Sequence, residues 1–310
     1  MPGSTDTATV TDINDNCVCA LPSLSLIRVT GEDRLEFLHS QLTRDLHKLE
    51  IGQAGLSAWC NPKGRVIATL LLCHYADHVD LIVAGDLKDA VLKRLRMFVL
   101  RSRVKLTDST DQTCIGISGE ASEALLTEWL KSLEPQEWSI SHTKKLCAVR
   151  IPGPAARFLV YGQGDDIDPL WQACTATCRP VSEAQWTLLN IETGLPWIDQ
   201  AVSEQFLPQM LNLDRTGGLD FNKGCYPGQE VIARLHYRGE VKQRLRYGTT
   251  DSSSISPGDA LYNNSGERAG TVVNAVTGSD GRGRCLAVAS VSATSLYLGD
   301  ANGPAVDFSA

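Results

Sequence analysis

The chain has 310 residues, of which 43% are hydrophobic and 21% charged, and its formal net charge is −7. That balance describes an ordinary globular chain with apolar mass for at least two cores, and it argues against a protein that coats nucleic acid through its overall field. No apolar run approaches the roughly 20 residues of a membrane span, so a cytoplasmic protein of two or three domains is expected.

Met1 to Asn16 is polar, rich in Thr and Asp, and carries neither a signal-peptide nor a transit-peptide pattern, which predicts a disordered tail. The 10 cysteines are expected to be reduced thiols. Cys17 with Cys19, or Cys174 with Cys178, could be drawn as ligand pairs, yet no Cys-x-x-Cys pair completes a zinc-type set, and no metal is expected.

Leu24 to Thr30 is the first predicted strand, and Leu35, Leu38, Leu42, Leu46 and Leu49 mark one long amphipathic helix after it. Ala54 to Cys60 and Arg65 to Tyr75 form a hairpin around Asn61-Pro62-Lys63-Gly64. Strand Val79 to Ala84, helix Leu87 to Val99 capped by Asp86, and strand Val104 to Leu106 complete a unit. Strand Thr113 to Ile117, helix Glu120 to Leu130, strands Leu146 to Ile151 and Arg157 to Tyr161, and helix Pro169 to Thr177 repeat the order. The economical reading is α+β with two ferredoxin-like units, roughly 17–110 and 111–240. A helix from Glu183 to Thr193 is stopped by Gly194-Leu195-Pro196. Beyond Lys242, short apolar strands split by Pro257-Gly258, Asn263-Asn264 and Gly281-Arg282-Gly283 predict a small antiparallel β-barrel over 241–310.

The densest stretch is Lys223-Gly224-Cys225-Tyr226-Pro227-Gly228-Gln229-Glu230, followed by Arg234. Pro227 suits a helix start, which would set Cys225 just before the positive end of the helix dipole, with the Lys223 charge nearby. Both effects favour the thiolate. Two readings stand: an activated thiol, or a small residue packed between turns. His236 is the nearest histidine in sequence. From Arg234 to Arg246 the chain carries Arg234, Arg238, Lys242, Arg244 and Arg246 against only Glu240. That strip is either a solvated face or a dock for a polyanionic ligand tail.

Lys223 to Arg234 fits throughout the pattern Lys-Gly-Cys-Tyr/Phe-x-Gly-Gln-Glu-x-x-x-Arg, by which the chain resembles the YgfZ-type folate-binding proteins. These are relatives of the T-protein, the aminomethyltransferase of the glycine cleavage system. The likeness extends to Phe37-Leu38-x-x-Gln41-Leu42-Thr43-x-Asp45, Lys63-Gly64-Arg65, Trp186 to Pro196, and Phe206-x-Pro208-Gln209 with Asn212-Leu213. The resemblance implies a T-protein-like fold with two interleaved ferredoxin-like units and a C-terminal barrel around a channel for tetrahydrofolate or a derivative. It implies that Trp186 and Glu192 contact the folate, with Gln229 and Arg234 as further binding residues and Cys225 and Lys223 as reactive ones. Leu24 stands where the family has a second aromatic. Ile67 and Ala68 stand where the T-protein keeps acids, which argues against aminomethyl transfer because neither can ionise. The implied role is an accessory protein for iron–sulfur cluster assembly or repair, supporting cluster-dependent enzymes including tRNA-modifying ones. The alternative is a folate-dependent one-carbon transferase or oxidase using Cys225. Expected partners are folate and iron–sulfur enzymes or assembly proteins, with no broad nucleic-acid binding, no membrane, and a monomeric state.

Overall fold

The first strand of the chain joins the second sheet. β1 (Cys17–Ala20) is followed by β2 (Leu24–Thr30), α1 (Arg34–Gln41), β3 (Ala54–Cys60), β4 (Val66–His74), β5 (His78–Ala84), α2 (Gly85–Met97) and β6 (Lys105–Asp108). The computed structural model describes residues 16–308, and the predicted tail lies outside the described residues except for Asn16. Strands β2 to β6 form a five-stranded sheet in the order β3-β4-β5-β2-β6. Every residue of β3 and β4 is buried, as their near-continuous apolar runs require of strands covered on both faces.

The second unit comprises β7 (Gln112–Ser118), α3 (Glu120–Leu130), β8 (Ile140–His142), β9 (Leu146–Arg150), β10 (Arg157–Gln163), α4 (Gly164–Thr177) and β11 (Arg179–Pro180). Its sheet runs β11-β1-β7-β10-β9-β8. β1 lies antiparallel to β7, with Val18 opposite Ile117, and parallel to β11. The expected division near residue 110 therefore does not separate the sheets, because residues 17–20 build the second one. Val18 and Ile117 are fully buried together under α3 and α4, and that burial sets the pairing.

α5 (Glu183–Glu192) then crosses from the second sheet to the barrel, and α6 (Gln229–Arg238) comes after an irregular stretch. β12 (Gln243–Thr250), β13 (Ala260–Tyr262), β14 (Arg268–Thr277), β15 (Gly283–Ser290), β16 (Ser295–Leu298) and β17 (Ala305–Phe308) close an antiparallel barrel in the order β12-β15-β14-β13-β16-β17. Closure removes the exposed edges that such short strands would otherwise present. The largest apolar core fills the space between the two sheets and reaches α5 and the barrel wall at Leu245, Val273 and Leu286.

Three local expectations change. The leucine stripe is not one helix: α1 stops at Gln41, Leu42 bridges to Trp59, and a short turn at Leu46–Lys48 comes next. Thr43 breaks the helix by donating its N–H to the Ala58 carbonyl at 3.0 Å and its hydroxyl to Gly218 O at 2.6 Å. Leu38, Leu42, Leu46 and Leu49 are still all buried, so the periodicity reported a buried face rather than a continuous helix. Asp86 does not cap α2, which begins at Gly85; its carboxylate accepts the Gln200 N–H at 3.0 Å instead. α4 starts at Gly164, ahead of Pro169, where Asp165 and Asp166 complement the helix dipole.

Candidate functional site

A cavity of about 480 Å³ opens where the two sheets and the barrel meet. β2, β4 and β5 contribute Leu24, Leu71 and Ala84, β10 contributes Leu159, and β14 contributes Asn274. α5 presents Trp186, Thr187 and Asn190 to it. An amphipathic helix placed between a sheet and a barrel must offer side chains to both, and one turn of α5 is left facing the gap.

Trp186 is buried, and its placement depends on two residues outside the cavity. Gly116 on β7 lies against it so closely that an added Cβ would fall 2.5 Å from the indole Cε3. Arg157 on β10 sets its guanidinium carbon 4.1 Å from the ring centroid. Arg157 is almost fully buried, and burial pulls its guanidinium down to about 9. It donates to Asn190 Oδ1 and, more weakly, to Thr193 Oγ1 at 3.4 Å, while its Nε has no partner. With Oδ1 of Asn190 occupied, the amide of that residue is left with its N–H donors for the cavity.

The acidic side of the cavity is formed by Glu183, Asp86 and Asp199. Burial, reinforced by the charge of Asp86, raises the Asp199 carboxyl above its usual range, although Ala201 N–H donates to it at 3.0 Å. Trp138 and Trp197 add two further rings to the lining, beside Leu24. The indole N–H of Trp197 is buried without a partner. Such a site, with flat apolar walls and a few acceptors and donors, suits a planar heterocycle that carries its own N–H groups.

Glu192 does not line this cavity. It sits at the C-terminal end of α5, where burial raises its carboxyl and the charges of Arg284 and Arg157 oppose that rise. Its Oε2 is buried and unpaired. Glu192 thus lies near Arg284 of the barrel and near Arg157, the residue that sits on Trp186.

The 223–234 motif is also away from the cavity. α6 begins at Gln229, with Gly228 as a left-handed cap at φ 81°, so Pro227 precedes the helix and Cys225 stands farther from its dipole than expected. Gly228 is needed there, because a Cβ would sit 2.5 Å from Asn61 O and from Gly64 Cα in the β3–β4 hairpin. Lys223 does not put its charge on the thiol. Its ammonium reaches the carbonyls of His39, of Leu42 at 2.5 Å and of Arg44 at 3.1 Å, capping the end of α1, and lies 4.9 Å from the Tyr226 ring centroid. Burial pulls Lys223 down to about 8, against the attraction of Asp45, Asp220 and Glu36. Gln229 contacts Lys223 O at 3.5 Å, and Arg234 is exposed on α6.

Cys225 is exposed, whereas the other nine cysteines are buried. The basic strip is shorter than the sequence suggests. Arg244 forms a two-pronged pair with Asp214 at 2.9 Å, and Arg246 donates to Ser290 and Ala293 carbonyls. Arg234, Arg238 and Lys242 remain exposed. Ile67 and Ala68 are buried on β4. Sequence reasoning missed Arg157, Asn190, Trp138, Trp197 and Asp199; an arginine inside the otherwise apolar Arg157 to Tyr161 strand was the only available signal.

The GCVT N-terminal domain family matches residues 14–158. The tRNA-modifying protein YgfZ of Hamiltonella defensa is 35% identical over 269 residues, covering 85% of this chain and 80% of that protein. The chain belongs to the YgfZ family. The YgfZ protein of Yersinia pseudotuberculosis is 32% identical over 266 residues, covering 84% of this chain and 81% of its own length. Among solved structures, the glycine cleavage system aminomethyltransferase T of Bartonella henselae superposes with a TM-score of 0.80 at 18% identity, over 96% of this chain and 85% of that one. The YgfZ-family chain thus has the T-protein fold, the α+β arrangement with a C-terminal barrel that the sequence predicts. Among the described residues, no helix is long and apolar enough to cross a membrane.

Proposed function

We propose that this protein binds a reduced folate, tetrahydrofolate or a derivative, and acts as an accessory factor in iron–sulfur cluster assembly or repair for enzymes that include tRNA-modifying ones. The observation that carries the ligand is the cavity. Trp186, Trp138 and Trp197 offer flat surface for a pterin, and the Asp86–Asp199 side offers acceptors for its N–H edge. The enclosing walls would keep water from the ring. Glu192, implied by family resemblance as a pterin contact, is outside the lining and would act through its charge. Gln229 and Arg234 are not among the lining residues, and would serve a tail that leaves the cavity.

Membership of the YgfZ family supports the tRNA-linked role, and Cys225, as the exposed thiol, is the group through which the chain would act on a partner or a cluster in transit. With Ile67 and Ala68 buried on β4, the proposed role does not use T-protein-type acids.

Titration with tetrahydrofolate should quench tryptophan fluorescence saturably, and Trp186→Ala should abolish the binding curve. A wild-type chain that shows no quenching with any reduced folate removes the ligand from the proposal. In cells, loss of the protein should lower several cluster-dependent activities, and Cys225→Ser should reproduce that loss; full activity in the absence of the whole protein removes the accessory role.

A further inference from the structure

We propose that Asn190, turned by Arg157, is the donor that reads a ring carbonyl of the bound heterocycle, so that the cavity selects a 4-oxo pteridine over its 4-amino counterpart. The inference rests on the reading of the cavity as a folate site and names the group that sets its ligand specificity.

Glu183, Trp186, Thr187 and Asn190 fall at i, i+3, i+4 and i+7 of α5 and all line the cavity. Arg157 is outside the lining, yet it touches two of these four. Its guanidinium carbon lies 4.1 Å from the Trp186 ring centroid, and its Nη2 donates to Asn190 Oδ1. The remaining oxygens that it reaches, Thr193 Oγ1 at 3.4 Å and Pro152 O at 3.5 Å, are long contacts, so Asn190 accepts its principal hydrogen bond. Arg157 is 1% exposed, and a cation at that depth needs such an acceptor.

A guanidinium carries only donors, so the amide that meets it must present its oxygen, and the flip that an asparagine could otherwise make is closed. The same charge draws electrons toward Oδ1 and makes the N–H groups of Asn190 better donors. Among the described residues Nδ2 donates to nothing, and it is not one of the buried atoms left without a partner, so it is open to the space that Asn190 lines. Its polar neighbours in the lining are committed. The Ser23 hydroxyl donates to Glu183 at 2.5 Å, the Thr187 hydroxyl to Glu183 O at 3.1 Å, and the Asn274 amide to Trp197 O at 2.7 Å. Asp86 and Asp199, in the same lining, supply acceptors. In a 4-oxo pteridine the carbonyl stands beside ring N–H and amino donors; the first suits Asn190 and the others suit the two acids. An amino group in place of the carbonyl sets N–H against N–H and leaves both donors without an acceptor.

Tetrahydrofolate and its 4-amino-4-deoxy analogue differ at that one position, and tryptophan quenching at pH 7 gives a dissociation constant for each. The wild-type chain should bind tetrahydrofolate about tenfold more tightly than the analogue. That ratio should fall toward one in Asn190→Leu and invert in Asn190→Asp, whose carboxylate offers acceptors only. Arg157→Met, which still covers the indole, should lower the ratio by freeing the amide to flip, a change that a merely structural role would not produce because it would weaken both ligands alike. Equal or tighter binding of the analogue by the wild type, or an unchanged ratio in folded Asn190→Leu, overturns the proposal; an unchanged ratio in folded Arg157→Met overturns the positioning by Arg157. Tetrahydrofolate that binds without discrimination leaves the folate reading standing and sinks this inference alone, whereas no binding of tetrahydrofolate removes both.

Discussion

The cavity and the motif loop are built by opposite means. The cavity is made of residues scattered from Leu24 to Asn274, and its polar groups are deeply placed: Arg157 is pulled down to about 9 and Asp199 is raised, both by burial first. The loop is continuous in sequence and exposed at Cys225, and it is held by backbone contacts, with Lys223 on three carbonyls and Gly228 against the β3–β4 hairpin. A buried charge must be matched by packing and neighbouring dipoles, so the cavity is rigid and costly to alter. A loop clamped through its main chain can keep one side chain free. This fold therefore keeps the cavity and the exposed thiol apart, with α1 and the β3–β4 hairpin supporting the second and α5 the first.

Substitutions can break that separation at graded strength. The largest effect is expected from Trp186→Ala, which removes a buried indole and uncovers the Arg157 guanidinium 4.1 Å from its centroid. Urea unfolding should show a loss of about 3–5 kcal/mol, with the Cys225 alkylation rate in the folded state unchanged. A parallel loss of alkylation would show that the two regions are coupled. Gly116→Ala should be milder, because its Cβ would press on the Trp186 ring from 2.5 Å and must displace it. Overpacking of this kind costs about 1–3 kcal/mol, and folate quenching should weaken more than stability does, since the indole moves rather than disappears.

The smallest effect is a dependence on pH. The Asp199 carboxyl is raised in the folded chain by burial and by Asp86, so the folded state binds that proton more tightly than the unfolded one. Its contribution to stability is therefore present at low pH and lost as pH rises through the raised value. Asp199→Asn keeps an Oδ1 acceptor for Ala201 N–H and carries no charge. Its Tm should match that of the wild type in acid and exceed it as pH rises from about 4 to 7. A constant difference across that range would mean that the Asp199 carboxyl is not held above its ordinary value.

The elements that were legible in the sequence are those whose signal is local. Leu24–Thr30, Glu120–Leu130 and Ala54–Cys60 fall where the residues predict them. α5 likewise ends where Gly194 comes after its last residues, since a left-handed glycine with a proline behind it cannot continue a helix. The leucine stripe failed because periodicity reports which side chains are buried, and a helix followed by a turn can bury the same set. In the site, Lys223 and Cys225 were visible as a motif, but the direction of the Lys223 side chain was not. It depends on the orphan carbonyls at the end of α1, with Leu42 lying 181 residues earlier in the chain.

Neighbouring residues alone determined the class of the fold, the barrel texture after Lys242, the Trp186 helix and the thiol motif, because each is written in a continuous stretch of sequence. Tertiary structure decided that β1 joins the second sheet and that Arg157 lies on Trp186. It also decided that Asp199 shares a cavity with Asp86, and that His39 rather than His236 meets the Cys225 loop. All four are contacts between residues distant in sequence, fixed by burial and by the need of buried polar groups for partners, and no local pattern carries that information.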